Sequence, residues 1–230
     1  MSDTIRETPA YLLAGGRPSN TADMVRMISR AYSAVENPLV AYIGTANGDS
    51  LVFYKMMQAL LMRAGARKVT FARLAKEKVN VDEVKSILSS ADIIFLSGGE
   101  VEDGINWLRK HRLVEFLKEL YSGGKQFIGV SAGSIMMGSH WVRWENPDDD
   151  ATAELFDCLG IIPAVFDTHA EAEDWIELKT VLRLQGNGAR GYGIPTGGMI
   201  SADSNCAFVS LEPEKDLITF VNENGQIQIL

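Results

Sequence analysis

Five short, mostly apolar runs constrain this chain more than any other feature. They are AYLLAGG from Ala10, LVAYIG from Leu39, KVTFARL from Lys68, DIIFLSGG from Asp92 and QFIGV from Gln126. A strand without a polar face is buried on both sides. Between the runs lie TADMVRMISRAYSAV, DSLVFYKMMQALLMRAG, VDEVKSILSS and LVEFLKELYSGG, with apolar residues at helical spacing. This alternation predicts an α/β fold, a mostly parallel sheet with helices on both faces. Asn80 is placed to cap its helix, with Glu83 three residues on as in a capping box.

The pattern weakens after Gly138. SHWVRWENPDDDATAE is polar and aromatic and reads as a loop, and AEAEDWIELKTVLRL is helical again from Ala170. From Gly191 onward the chain reads as short strands that extend the sheet at one edge, with a hairpin at Glu223-Asn224-Gly225. A length of 230 residues with 46% hydrophobic side chains supports one core, and residues 1–230 are expected to form one domain. The net charge of −8 excludes phosphate backbones and anionic membranes as partners. No apolar run approaches the roughly 18 residues that cross a bilayer. MSDTIRETPA lacks the apolar stretch of a secretory signal, so a cytoplasmic protein is expected. Cys158 and Cys206 are expected to be reduced and to pack as small hydrophobes.

One stretch carries chemistry. Gly129-Val130-Ser131-Ala132-Gly133 fits G-x-S-x-G, with a buried strand before it and a helical pattern after it. A sharp strand-to-helix turn exposes the serine hydroxyl above the sheet edge. Side chains two positions either way would collide, which is why both are glycine. There the Ala132 N–H can face a developing oxyanion. A serine needs a base, and the chain offers His111, His140 and His169. His111 sits among Arg109, Lys110 and Arg112 and reads as solvated, and His140 falls in the polar stretch. His169 ends the apolar run IIPAVFDTH, and strand ends are where open parallel sheets place their sites. His169 is the expected base. A second oxyanion donor fits FLSGGE, where Gly98 and Gly99 let backbone approach a reacting carbonyl.

FLSGG, GVSAGS and FDTH, in that order, together with YLLAGG and AYIGTA, resemble the peptidase E and cyanophycinase family of serine peptidases. The likeness runs over nearly the whole chain. It implies the class I glutamine amidotransferase-like fold, Ser131 as nucleophile, His169 as base, and Gly99 and Ala132 N–H groups as the oxyanion hole. It implies a small peptide substrate and neither metal nor cofactor, and leaves a homodimer open. Gly98, Glu100 and Arg143 are the residues expected to meet substrate. The family places a further acid between the serine and the histidine, where this chain offers Glu145, Asp148, Asp149 and Asp150. Glu145 is preferred, because Trp141 and Trp144 could shield its carboxylate. The three aspartates read as a solvated run.

Two departures bear on substrate. Glu100 stands where the family often has a smaller polar residue, and His169 is followed by Glu171, Glu173 and Asp174 rather than basic residues. That acidic rim is expected to disfavour an acidic substrate, unless Arg143 or Arg17 enters the pocket. Other readings fit less well. An ordinary α/β-hydrolase has its histidine near the chain end, whereas none follows His169. A glutamine amidotransferase needs cysteine at the elbow. Nucleotide binding needs a G-x-G-x-x-G that LLAGGRPSN does not supply. No local metal-ligand pair appears. A non-catalytic binding protein of the same fold is the remaining alternative.

Overall fold

The computed structural model describes residues 9–16, 21–32, 35–146, 149–203, 205–212 and 214–230. Each apolar run forms a strand: β1 (Ala10–Leu13), β2 (Leu39–Ile43), β3 (Lys68–Ala72), β4 (Ile93–Leu96) and β5 (Gln126–Val130). They are mutually parallel in the order β1-β5-β4-β2-β3. Alternate residues of each strand feed opposite faces. On one face α1 (Thr21–Ala31) and α2 (Leu51–Arg63) pack Met27, Ile28, Met57 and Leu61 against Leu13, Tyr42, Phe95 and Ile128. On the other, α3 (Val81–Ser90), α4 (Val101–Lys110), α5 (Val114–Ser122) and α6 (Ala132–Met137) cover Leu12, Ile43, Leu96 and Phe127. Asn80 caps α3 as expected, its side-chain oxygen accepting the Glu83 N–H at 3.2 Å.

The second half departs from the expected pattern. The polar stretch after Gly138 is a hairpin rather than a loop: β6 (His140–Trp144) pairs antiparallel with β7 (Ala153–Asp157). Trp141 and Val142 are buried while Arg143 is exposed, so packing of the aromatic strand outweighs the polarity of its flanks. Then follow β8 (Val165–Thr168), α7 (Ile176–Gln185), β9 (Arg190–Ile194), β10 (Met199–Ala202), β11 (Phe208–Ser210), β12 (Ile218–Glu223) and β13 (Gln226–Ile229). Of the C-terminal strands only β10 and β11 extend the large sheet, antiparallel beyond β1. The others pair with β8 in a separate sheet of order β13-β12-β9-β8. The expected hairpin joins β12 to β13, with Asn224 and Gly225 at φ 54° and 89°.

The helix expected from Ala170 begins only at Ile176. Asp174 and Trp175 take left-handed φ values of 50° and 56°. The Trp175 ring is buried beside Phe220 and lies so close to Gly193 that a β-carbon there would sit 2.8 Å from it. Burial of the ring therefore sets the chain path and overrides local helical periodicity. His111 is also corrected. It is buried and its Nε2 lies 2.9 Å from the Leu74 carbonyl and 3.0 Å from that of Lys76. Cys158 is buried and Cys206 partly exposed, both as free thiols. No helix of the described residues is long and apolar enough to cross a membrane.

Candidate active site

The carboxyl ends of β4, β5 and β8 converge on one cleft of about 300 Å³. It is lined by Gly99 and Glu100 after β4, by Ser131 and Ala132 after β5, and by Asp167, Thr168 and His169 at the end of β8. Ser131 has φ 53° and ψ −125°, a conformation a side-chain-bearing residue rarely adopts. It is held there from both sides. A β-carbon on Gly133 would lie 2.1 Å from the Leu96 carbonyl, and one on Gly129 would lie 2.6 Å from the Gly133 carbonyl. The Ser131 N–H is tied to the Leu13 carbonyl at 2.9 Å, and so is the Ser134 hydroxyl.

The turn aims the Ser131 hydroxyl at His169, whose Nε2 is 2.8 Å from Oγ. His169 also has a left-handed backbone, with φ 47°, and its N–H donates to the Ile194 carbonyl of β9 at 2.9 Å. The contact bridges the two sheets, since Ser131 follows β5 of the larger and His169 follows β8 of the smaller. The 2.8 Å separation lets the hydroxyl donate to a neutral imidazole. Ala132 is the first residue of α6, a position whose N–H has no acceptor within the helix.

The Gly98–Gly99 turn is fixed by a short 3₁₀ turn, Thr45–Asn47. Asn47 donates through Nδ2 to the Gly98 carbonyl at 2.9 Å and to the Ser97 hydroxyl at 3.0 Å, while Tyr42 lies 2.8 Å from that hydroxyl. The Glu100 N–H reaches the Ala46 carbonyl at 2.7 Å, and a β-carbon on Gly99 would overlap that same oxygen. Gly98 abuts the Ser131 side chain, where a β-carbon would sit 3.2 Å from the serine Cβ.

The remaining expected residues divide. Glu100 lines the cleft. Arg143 does not: it is exposed on β6 and paired with Glu154 and Glu102. Glu145 is exposed beyond the end of β6, and among the described residues no hydrogen bond joins its carboxylate to His169. The reason is the hairpin. A five-residue strand carries the chain about 16 Å from His140 before Glu145 begins. Trp141 lines the cleft itself rather than shielding that carboxylate. Asp149 is exposed and accepts the Ala151 N–H, while Asp148, the Asp150 side chain and Arg17 lie outside the described residues. His140 turns elsewhere, with Nδ1 3.2 Å from the Gln185 amide and Nε2 3.5 Å from Asp157.

Of the acids after His169, Asp174 pairs with Lys179 and Glu171 accepts the N–H and hydroxyl of Thr196 at 2.6 and 3.1 Å. Burial raises the Glu171 pKa, but those hydrogen bonds and the charge of His169 outweigh it and hold the carboxyl below its usual range. Two lining acids went unnoticed in the sequence. Asp167 is 2% exposed, and burial pushes it from 3.8 to about 7, aided by the charges of Glu177 and Glu173. Glu177, at the start of α7, is raised to about 7 by burial and by the charges of Glu100 and Glu173. An acid ending the apolar run IIPAVFD was a readable signal for Asp167. Glu177 gave none, because its position depends on where α7 starts. Among the described residues no group of three His, Cys, Asp or Glu side chains is placed to hold a metal.

Comparison with known proteins identifies a family and a shared fold. The family model described as peptidase family S51 matches residues 11–210. A Shewanella denitrificans protein named peptidase E is 28% identical over 88 residues, 38% of this chain. The match spans 37% of that relative's length. A crystal structure of a peptidase from an acI-B1 actinobacterium superposes with a TM-score of 0.70 at 20% identity, over 96% of this chain and 93% of that one. A Listeria monocytogenes structure described as a peptidase E protein gives 0.64 at 20% identity, over 94% and 98%. At that identity the structures show a shared fold.

Two outcomes are expected. Gly133→Ala forces a methyl group into the Leu96 carbonyl and costs about 2 kcal/mol or more, whereas Gly123→Ala, whose nearest contact is the Glu119 carbonyl at 3.2 Å, should cost less. Denaturant melts of the two variants check this. Asp167 binds its proton more tightly folded than unfolded, so its contribution to stability falls as pH rises from about 4 to about 7. Relative to the parent, Asp167→Asn should therefore gain in melting temperature between pH 4.5 and pH 8.

Proposed function

The chain belongs to peptidase family S51, and we propose that it is a serine-type peptidase that cleaves short peptides through an acyl-enzyme. We read residues 1–230 as one domain. The observation that carries the reading is the 2.8 Å contact between Ser131 Oγ and His169 Nε2 at a strand-to-helix elbow. In this reading His169 takes the hydroxyl proton as Ser131 attacks the scissile carbonyl, then gives it to the leaving amine. Water, activated by the same imidazole, releases the acyl group. The N–H groups of Gly99 and Ala132 receive the oxyanion, since both residues line the cleft beside Ser131.

The acid assignment moves from Glu145 to Glu171. Glu171 is the carboxylate whose ionisation the His169 charge favours, and Thr196 fixes it in place. With no hydrogen bond to the ring among the described residues, it acts through its charge on the imidazolium that forms during attack. A cleft of about 300 Å³ suits a short peptide, because it is at the lower end of ligand pockets, roughly 300–1,000 Å³.

Ser131→Ala and His169→Ala should each lower kcat by about a thousandfold or more, and the double variant little further, because members of one catalytic unit are not additive. A dipeptide-library hydrolysis screen and labelling by a fluorophosphonate probe check this. Labelling away from Ser131, or two additive losses, would sink the pairing. Asn47→Ala releases the Gly98 carbonyl and should lower kcat by about 10- to 100-fold, a fraction of what a lost oxyanion donor costs. The loss should fall on kcat more than on KM, measured on the best dipeptide from the screen.

A further inference from the structure

Four carboxylates line the cleft that holds Ser131 and His169: Glu100, Asp167, Glu173 and Glu177. No lysine or arginine lines it among the described residues. Nor does any described cation pair with one of the four, although cations elsewhere are engaged: Arg143 with Glu154 and Glu102, Lys179 with Asp174. The acids come from three separate places: Glu100 just before α4, Asp167 in β8, and Glu173 and Glu177 on either side of the start of α7, so they are not the charged turn of one helix. Asp167 is buried and Glu177 half-buried, whereas Glu100 and Glu173 stand at the exposed rim; carboxylates gathered round one cleft repel one another, and a cation seated among them relieves that repulsion.

A second observation is independent of the charge count. Asp167 is 2% exposed; its Oδ1 accepts the Thr168 N–H at 2.6 Å, and the Leu178 N–H at the start of α7 favours its ionised form, but its buried Oδ2 makes no hydrogen bond of ordinary geometry. The Thr168 hydroxyl beside it is likewise buried and unpartnered. Both residues line the cleft. Buried acceptors left without donors are costly, and a ligand rich in N–H donors removes that cost.

We propose that this cleft selects substrates that carry a cation beside the scissile bond, an ammonium or guanidinium seated among Glu100, Glu173, Glu177 and the buried Asp167. The proposal rests on Ser131 and His169 being the reacting pair. The cation has two possible sources, the free α-amino end of a peptide or a lysine or arginine side chain. Both present several N–H donors and a positive charge to the same carboxylates. The rim that does this differs from the one the sequence suggested. Glu171 and Asp174 are satisfied by Thr196 and Lys179, while Glu100, Asp167 and Glu177 join Glu173 in the cleft.

The test compares kcat/KM for four peptides: Ac-Leu-Leu, Leu-Leu, Ac-Lys-Leu and Ac-Asp-Leu. The first has no cation, the second only an α-ammonium, the third only a side-chain ammonium. Leu-Leu or Ac-Lys-Leu should exceed Ac-Leu-Leu by at least about tenfold, the value of one hydrogen bond to a charged group, and whichever gains identifies the source. Ac-Asp-Leu should be slowest. Glu177→Gln, and separately Glu173→Gln, should shrink the ratio of cationic to neutral substrate, a readout that a merely structural role would not move. Four rates within about twofold, or a lead for Ac-Asp-Leu, would overturn the proposal; loss of that lead in Arg17→Ala would identify its cation. If no peptide is cut, calorimetry on Ser131→Ala decides. Tighter binding of Leu-Leu or Ac-Lys-Leu than of Ac-Leu-Leu supports the proposal, and equal binding overturns it. Fluorophosphonate labelling of Ser131 reports on the reacting pair regardless of substrate charge, so the two failures are distinguishable.

Discussion

A serine held at φ 53°, with its hydroxyl 2.8 Å from an imidazole, is the feature on which the rest of the structure depends. Ser131 is not alone in this. His169 has φ 47°, so both members of the contact occupy a backbone region that costs about 1–3 kcal/mol for a non-glycine residue. Such a state persists only where the surroundings leave no alternative. Here they do: Gly129 and Gly133 bring the elbow against itself and against β4, and Leu13 of β1 accepts the Ser131 N–H. Ile194 of β9 does the same for His169. The two strained residues are each tied to a neighbouring strand, and the two sheets meet at their side chains.

That arrangement explains why the second sheet exists. A five-stranded parallel sheet could present Ser131 unaided, because the elbow needs only β5, α6 and the neighbouring strands. It could not present His169, which needs a strand end facing the elbow from the opposite side of the cleft. β8 supplies that end, β9 registers it, and α7 packs Leu178, Val181 and Leu182 onto it. Trp175 then fixes where α7 begins, with its ring against Gly193. The acids of the segment sort accordingly. Glu171 falls back onto Thr196, Asp174 onto Lys179, and Glu173 and Glu177 face the cleft.

The parallel core was legible because four buried strands leave an unmistakable apolar signature, β3 follows as a half-exposed edge, and their helices obey one period. The elbow was legible because its two glycines are demanded by contacts within a few residues and one neighbouring strand. Legibility fails where placement depends on packing between distant segments. The hairpin of β6 and β7 looks polar in sequence, and only the burial of Trp141 and Phe156 makes it a strand pair. Glu145 was chosen on its nearness to two tryptophans, which strand geometry then carries to the far end of the hairpin. Asn47 could not be singled out at all, since its importance lies in the Gly98 carbonyl, 51 positions on in the chain.

The acids of the cleft show the same limit from the opposite direction. Sequence proximity to His169 suggested that Glu171, Glu173 and Asp174 act together, yet one local turn gives them three different neighbours. Charge in a folded chain is a property of what surrounds it. A carboxylate with Thr196 or Lys179 at hand is satisfied and exposed, whereas Asp167, three residues before Ala170, is buried with one oxygen that makes no hydrogen bond of ordinary geometry. Burial keeps Asp167 and Glu177 near pH 7 in their ionisation, so the unliganded cleft can reduce its own repulsion by holding protons. A cation entering it replaces those protons and restores the charge. The cost of gathering the acids is thus deferred from folding to the moment of binding, where it becomes selectivity.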